Sequence, residues 1–112
     1  MSGSLAQIKA ELASARKAWE EGNEGQARVC ARRAVSRALT HWRIRRGEPP
    51  LPGDTLAHLR WIQQQTQFPR EVVLAAQRLS TKVTERDRAP FSIDPIADAR
   101  LIIDALLSTA MP

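Results

Sequence analysis

Apolar residues recur along this chain at alternating steps of three and four, the spacing of one face of an α-helix, and no segment alternates in twos over strand length. That pattern confines the chain to an all-α fold. Leu5, Ile8, Leu12, Ala15 and Trp19 form the first stripe, on a helix over about 5–21 with Ser4 and Gln7 spaced as a capping box and Gly22 as its stop. The second and longest helix follows Asn23, a good N-cap. It carries Ala27, Ala31, Ala34 and Ala38 on one side, with Val35, Leu39 and Trp42 beside them, and ends at Gly47. The prolines of Glu48-Pro49-Pro50-Leu51-Pro52-Gly53 remove amide donors and impose a loop. Asp54 then caps a shorter helix to about Gln65 with Leu56, Leu59 and Ile62 inward. Phe68-Pro69 opens a fourth, striped by Val72, Ala76, Leu79 and Val83. After a loop over 86–92, Asp94-Pro95 starts the last helix, with Ile96, Ala99, Ile103, Leu106 and Ala110 on its apolar face.

At 112 residues there is room for one core, so the expectation is a single domain over 1–112 with 1–4 and 111–112 as frayed ends. Five one-faced helices with short links bury their stripes most economically as an up-and-down antiparallel bundle of four main helices plus one short helix. Hydrophobic residues at 43%, with 7 prolines and 5 glycines, exclude a disordered or low-complexity chain. No apolar run approaches the roughly 20 residues of a membrane span, and the start lacks the pattern of a secretory signal. A cytoplasmic protein without membrane contact is expected. One cysteine, Cys30, and two histidines, His41 and His58, cannot assemble a four-ligand zinc site, so neither metal nor cofactor is expected.

The net charge of +5 is concentrated: Arg28, Arg32, Arg33, Arg37, Arg43, Arg45 and Arg46 lie between Glu24 and Glu48 with no acid among them, which leaves −2 for the rest. Arg28 and Arg32, like Arg33 and Arg37, are one helical turn apart. Such crowding has three readings: a solvated face partly matched by acids such as Glu20, Glu21 or Asp98; a site for a phosphate-bearing ligand; or a surface for an acidic protein partner. Arginine forks suit phosphate, which makes Arg28, Arg32, Arg33 and Arg37 the candidate ligand-binding residues for a nucleotide or RNA. With no tyrosine and only five aromatic residues, recognition by base stacking has little support. Trp19 continues a core stripe, whereas Trp42, among arginines, and Trp61, off its helix's stripe, are candidates for exposure. A helix-turn-helix is a weaker alternative, since the links lack its turn spacing.

Chemistry is sparsely signalled. Arg37 and His41, one turn apart, are the candidate pair for cleaving a phosphodiester, although a lone helical histidine is more often a packing or surface residue. Cys30, flanked by arginines but in register with the alanine row, reads as a small buried thiol. No Walker loop, His-Glu-x-x-His, Gly-x-Ser-x-Gly or paired-acid metal motif is present.

The order of these features is itself informative: Trp19-Glu20-Glu21-Gly22-Asn23 before the long Ala/Arg helix Ala27–Val35, the Gly47–Pro52 loop, His58-Leu59, Phe68-Pro69-Arg70-Glu71-Val72, then Asp94–Ile102. From about Leu5 to Leu107 it resembles the HEPN family (higher eukaryotes and prokaryotes nucleotide-binding). The resemblance implies an antiparallel helical bundle, commonly homodimeric, in toxin–antitoxin or nucleotidyltransferase-associated systems. Many members are metal-independent ribonucleases with four to six residues between an arginine and a histidine. Here Arg37 and His41 have three residues between them, Arg33 and His41 have seven, and the segment from Arg78 to Arg88 has no histidine. The resemblance therefore points to the non-catalytic branch, whose members bind nucleotide or serve as partner of a nucleotidyltransferase. It transfers no catalytic residue. The rival expectations are a protein-interaction or dimerisation module without nucleic acid, and a weak ribonuclease using Arg37 and His41.

Overall fold

The computed structural model describes residues 3–108, and within them the chain is helical throughout its ordered elements, with no strand. Helix α1 spans Gly3–Glu20, α2 Glu24–Arg45, α3 Thr55–Gln63, α4 Arg70–Ser80 and α5 Pro95–Ser108, with a 3-10 turn at Val83–Glu85. The expected frayed ends at residues 1, 2, 111 and 112, and Ala110 of the last stripe, lie outside the described residues. Residues 3 and 4, also expected to fray, are helical. Since α1 already runs at Gly3, the Ser4 capping box does not mark its start.

The other start and stop signals act as expected. Asn23 accepts the Gln26 amide at 3.1 Å, Asp54 the Ala57 amide at 2.9 Å and Asp94 the Ala97 amide at 3.0 Å, so α2, α3 and α5 begin on side-chain caps, whereas α4 follows Pro69 without one. Gly22 and Gly47 take φ of 79° and 78°, a conformation costly for any residue with a Cβ. Each closes its helix with an amide one residue further on bonded back to the last turn, Asn23 to Ala18 and Glu48 to Arg43.

Helix α2 is the hub: it packs against α1, α3, α4 and α5, whereas α1 rests almost wholly on α2. The alanine row explains the hub, because Ala27, Ala31, Ala34 and Ala38 are all fully buried and let neighbouring backbones come close. Leu39, Leu59, Ile62, Leu79, Ile102 and Leu106 fill the core between them. Cys30 is buried here as a small thiol, its sulfur 3.4 Å from the Gln26 amide nitrogen.

Four expectations about the core need correction, at Val83, Trp19, Leu5 and Trp42. Val83, placed on the fourth stripe, is 44% exposed, because α4 stops at Ser80. The Ser80 and Thr81 hydroxyls both donate to the Gln77 carbonyl, Arg32 draws off the Leu79 and Thr81 carbonyls, and Thr81 turns to extended backbone. On α1 the buried line is Ile8, Ala15 and Ala18, so Trp19 lies one position off it at 37% exposure, and Leu5 is exposed as well. Trp42, by contrast, is buried in a triad with Trp61 and Phe68, at centroid distances of 6.3, 5.4 and 6.4 Å, and Trp61 is half-buried against the same core. Their arginine neighbours lie over the rings: Arg46 is 4.4 Å from the Trp42 centroid and Arg43 is 5.3 Å from that of Trp61.

Candidate anion-binding groove

Tertiary packing separates six of the seven arginines into distinct roles. Arg28 is buried: it pairs with Glu24 at 2.7 Å, donates to the Ser92 carbonyl at 2.6 Å and stacks 4.3 Å from the Phe91 centroid. The hydrogen bond from Arg28, and then its charge, hold the Glu24 carboxyl below the usual carboxylate range. Arg32 donates to the Leu79 carbonyl at 2.9 Å and the Thr81 carbonyl at 3.3 Å, satisfying the C-terminal end of α4. Burial, and secondarily Arg28, push its pKa down from the ordinary arginine value. Arg43 and Arg46 flank Glu48, with nitrogen–oxygen distances of 3.9 and 3.4 Å, and Arg43 also donates to the Pro49 carbonyl.

Arg33 and Arg37 face solvent, with side chains 50% and 40% exposed. Both approach one carboxylate, Glu11 of α1, at 4.0 and 3.0 Å, and Arg37 also donates to the Gln7 side-chain oxygen at 3.3 Å. Because α1 and α2 are antiparallel here, positions 7 and 11 lie across from 37 and 33. Gln7, Arg33, Ser36, Arg37 and Thr40 line an open groove of about 270 Å³. Two guanidinium groups against a single carboxylate leave the groove positive, and amide and hydroxyl donors stand around them.

A second open cleft, about 380 Å³, lies between α2 and the start of α3, and Arg33 and Ser36 line it too. At its wall the buried His58 is fixed at both nitrogens. In the neutral ring, Nε2–H donates to the Leu51 carbonyl at 3.1 Å, which leaves Nδ1 to accept the Ser36 hydroxyl at 2.8 Å.

Of the four candidate ligand residues, then, the structure brings Arg33 and Arg37 to one open groove and engages Arg28 and Arg32 with main-chain carbonyls. His41 is half-buried; burial, followed by the charge of Arg45, lowers its pKa from the ordinary imidazole value, so the ring is largely neutral at pH 7. The bonds of Arg37 run to α1. Sequence reasoning missed Glu11, for which the signal is the short α1–α2 turn that brings the two helices antiparallel, and Ser36–His58, which is separated by 22 residues and carries no local motif. Among the described residues, no group of three histidine, cysteine or acidic side chains is placed to hold a metal ion. No family model, no curated protein and no solved structure matches the chain.

Proposed function

We propose that this chain is a binding module for a phosphate-bearing ligand, a nucleotide or RNA, held in the groove between α1 and α2. The observation that carries the reading is the pair Arg33 and Arg37, half-exposed and answered by a single carboxylate, with Thr40 and Gln7 as neutral polar groups beside them. Incoming phosphate oxygens replace Glu11 as acceptors for Arg37 Nε and Arg33 Nη1. The HEPN resemblance accords with this reading: it adds a four-helix antiparallel bundle with one short helix, a homodimer of the branch without the family's ribonuclease activity, a cytoplasmic setting, and a role beside a nucleotidyltransferase or within a toxin–antitoxin pair. No described helix is long and apolar enough to cross a membrane.

Fluorescence anisotropy with a labelled single-stranded RNA, and calorimetry with ATP, test the reading. Arg33→Ala/Arg37→Ala weakens both and, for RNA, reduces the slope of log affinity against log salt by about 1.4, at about 0.7 per lost phosphate contact. Unchanged affinity and slope in a folded double variant refute it. A second reading has its own observation: Val29 and Ile44 of α2, 38% and 48% exposed on either side of Arg33 and Arg37 in the sequence, suit an interface with another protein or a second copy. Co-purification with an acidic protein, with no affinity for RNA or ATP, favours that reading.

A further inference from the structure

We propose that Ser36 is a nucleophile activated by His58, and that the cleft between α2 and α3 takes a carboxylic ester bearing an anionic group. This goes beyond ligand binding and stands on its own geometry. In this chain Ser80, Thr81 and Ser108 return their hydroxyl protons to carbonyls three or four residues back, the ordinary habit of hydroxyl residues in helices. Ser36, in the middle of α2, instead places its hydroxyl 2.8 Å from the Nδ1 of a histidine on another helix. The histidine is itself oriented, because the Leu51 carbonyl 3.1 Å from Nε2 fixes the neutral tautomer in which Nδ1 carries the lone pair. Nucleophile, base and orienting group thus stand in series within hydrogen-bond reach.

The serine is open to substrate, since it lines both the 270 Å³ groove and the 380 Å³ cleft. Arg33 lines both as well, and its guanidinium is half-exposed. Arg32 and the Asp54 carboxylate also line the cleft, so two guanidinium groups stand against one carboxylate beside the serine and favour a substrate with an anionic group.

In the proposed step the Ser36 oxygen forms a bond to the acyl carbon while its proton passes to His58 Nδ1. The ester carbon–oxygen bond then breaks and the leaving alcohol takes that proton. Water, deprotonated by the same nitrogen, cleaves the acyl-serine, releasing the acid and restoring the hydroxyl.

An uncharged fluorophosphonate separates this idea from the phosphate-binding reading, because it needs no arginine to bind. Its phosphorus bonds to the serine oxygen, and fluoride and a proton leave. Mass spectrometry is expected to place one adduct on Ser36. His58→Gln is expected to slow labelling by about a hundredfold, the low end of what a general base supplies. Should that variant unfold, the adduct site decides. An adduct elsewhere, none at all, or an unchanged rate in a folded His58→Gln overturns the proposal. The substrate class is read from the p-nitrophenyl esters of succinic and acetic acid: the succinate half-ester turns over faster, and Arg33→Ala erases the difference. Equal rates in the wild type overturn the assignment of an anionic substrate.

Discussion

Arg28 illustrates how little of a side chain's role is contained in its charge. Its guanidinium joins Glu24 in α2, the Ser92 carbonyl and the Phe91 ring, so it fastens the segment before α5 to the hub helix. Arg28→Ala is expected to cost about 1.5–3 kcal/mol, the usual worth of hydrogen bonds to a charged group, in urea unfolding. The same substitution at solvent-facing Arg33 changes stability by no more than about 0.5 kcal/mol. His41 gives a residue-scale prediction in pH. Its folded pKa lies below 6.5 through burial and Arg45, so in the window below 6.5 the unfolded chain binds more proton. The sign follows: its contribution is full above 6.5 and is lost as pH falls through the lowered folded value. A ring-proton NMR titration should show a midpoint below 6.5 that moves up in Arg45→Ala.

At the scale of elements, the clamp between α4 and α5 is the bidentate pair of Arg78 and Asp98, with bonds of 3.1 and 2.6 Å and the carboxylate largely buried. Asp98, through its hydrogen bond first, raises the Arg78 pKa. Arg78→Ala leaves that carboxylate without its cation, and an expected loss of about 1.5–3 kcal/mol, below that of a fully buried pair because the Arg78 side chain is 35% exposed, is checked by urea unfolding. At Gly53 φ is 98° and a Cβ would stand 2.9 Å from that of Ala57. Gly53→Ala is therefore expected to lower stability by about 1–3 kcal/mol, read from the melting temperature, and to disturb the wall of the cleft that holds Ser36 and His58. The elements that were legible in the sequence are those set by local chemistry. The Asn23 and Asp54 caps, the Gly22 and Gly47 stops, the proline loop and the alanine row each act through neighbours within a turn or two. Val83 and Trp19 were misread because their fates turn on distant partners: Arg32 reaching across to end α4, and the line of contact along which α1 meets α2. The candidate site was half legible for the same reason. Composition showed a basic helix, but only packing distinguishes Arg33 and Arg37 from arginines that bind carbonyls.

The whole molecule is organised around α2, which every other helix touches, and α1 is an outer layer that rests almost wholly on it. Hydrogen exchange is therefore expected to show α2 amides exchanging near the global unfolding free energy and α1 amides exchanging through a cheaper local opening. Equal protection of the two helices would contradict this hierarchy. One wall of the groove belongs to that outer layer: Glu11 and Gln7 are on α1, while both arginines stay with the hub. Lifting α1 would remove the carboxylate that competes with a ligand and leave the two guanidinium groups bare. On the proposed phosphate-binding reading, Glu11 is a tethered competitor whose local concentration is set by how firmly α1 docks. That reading predicts that conditions which loosen α1 without unfolding the hub raise the affinity for a polyanion, so affinity rises with mild warming before the fold is lost.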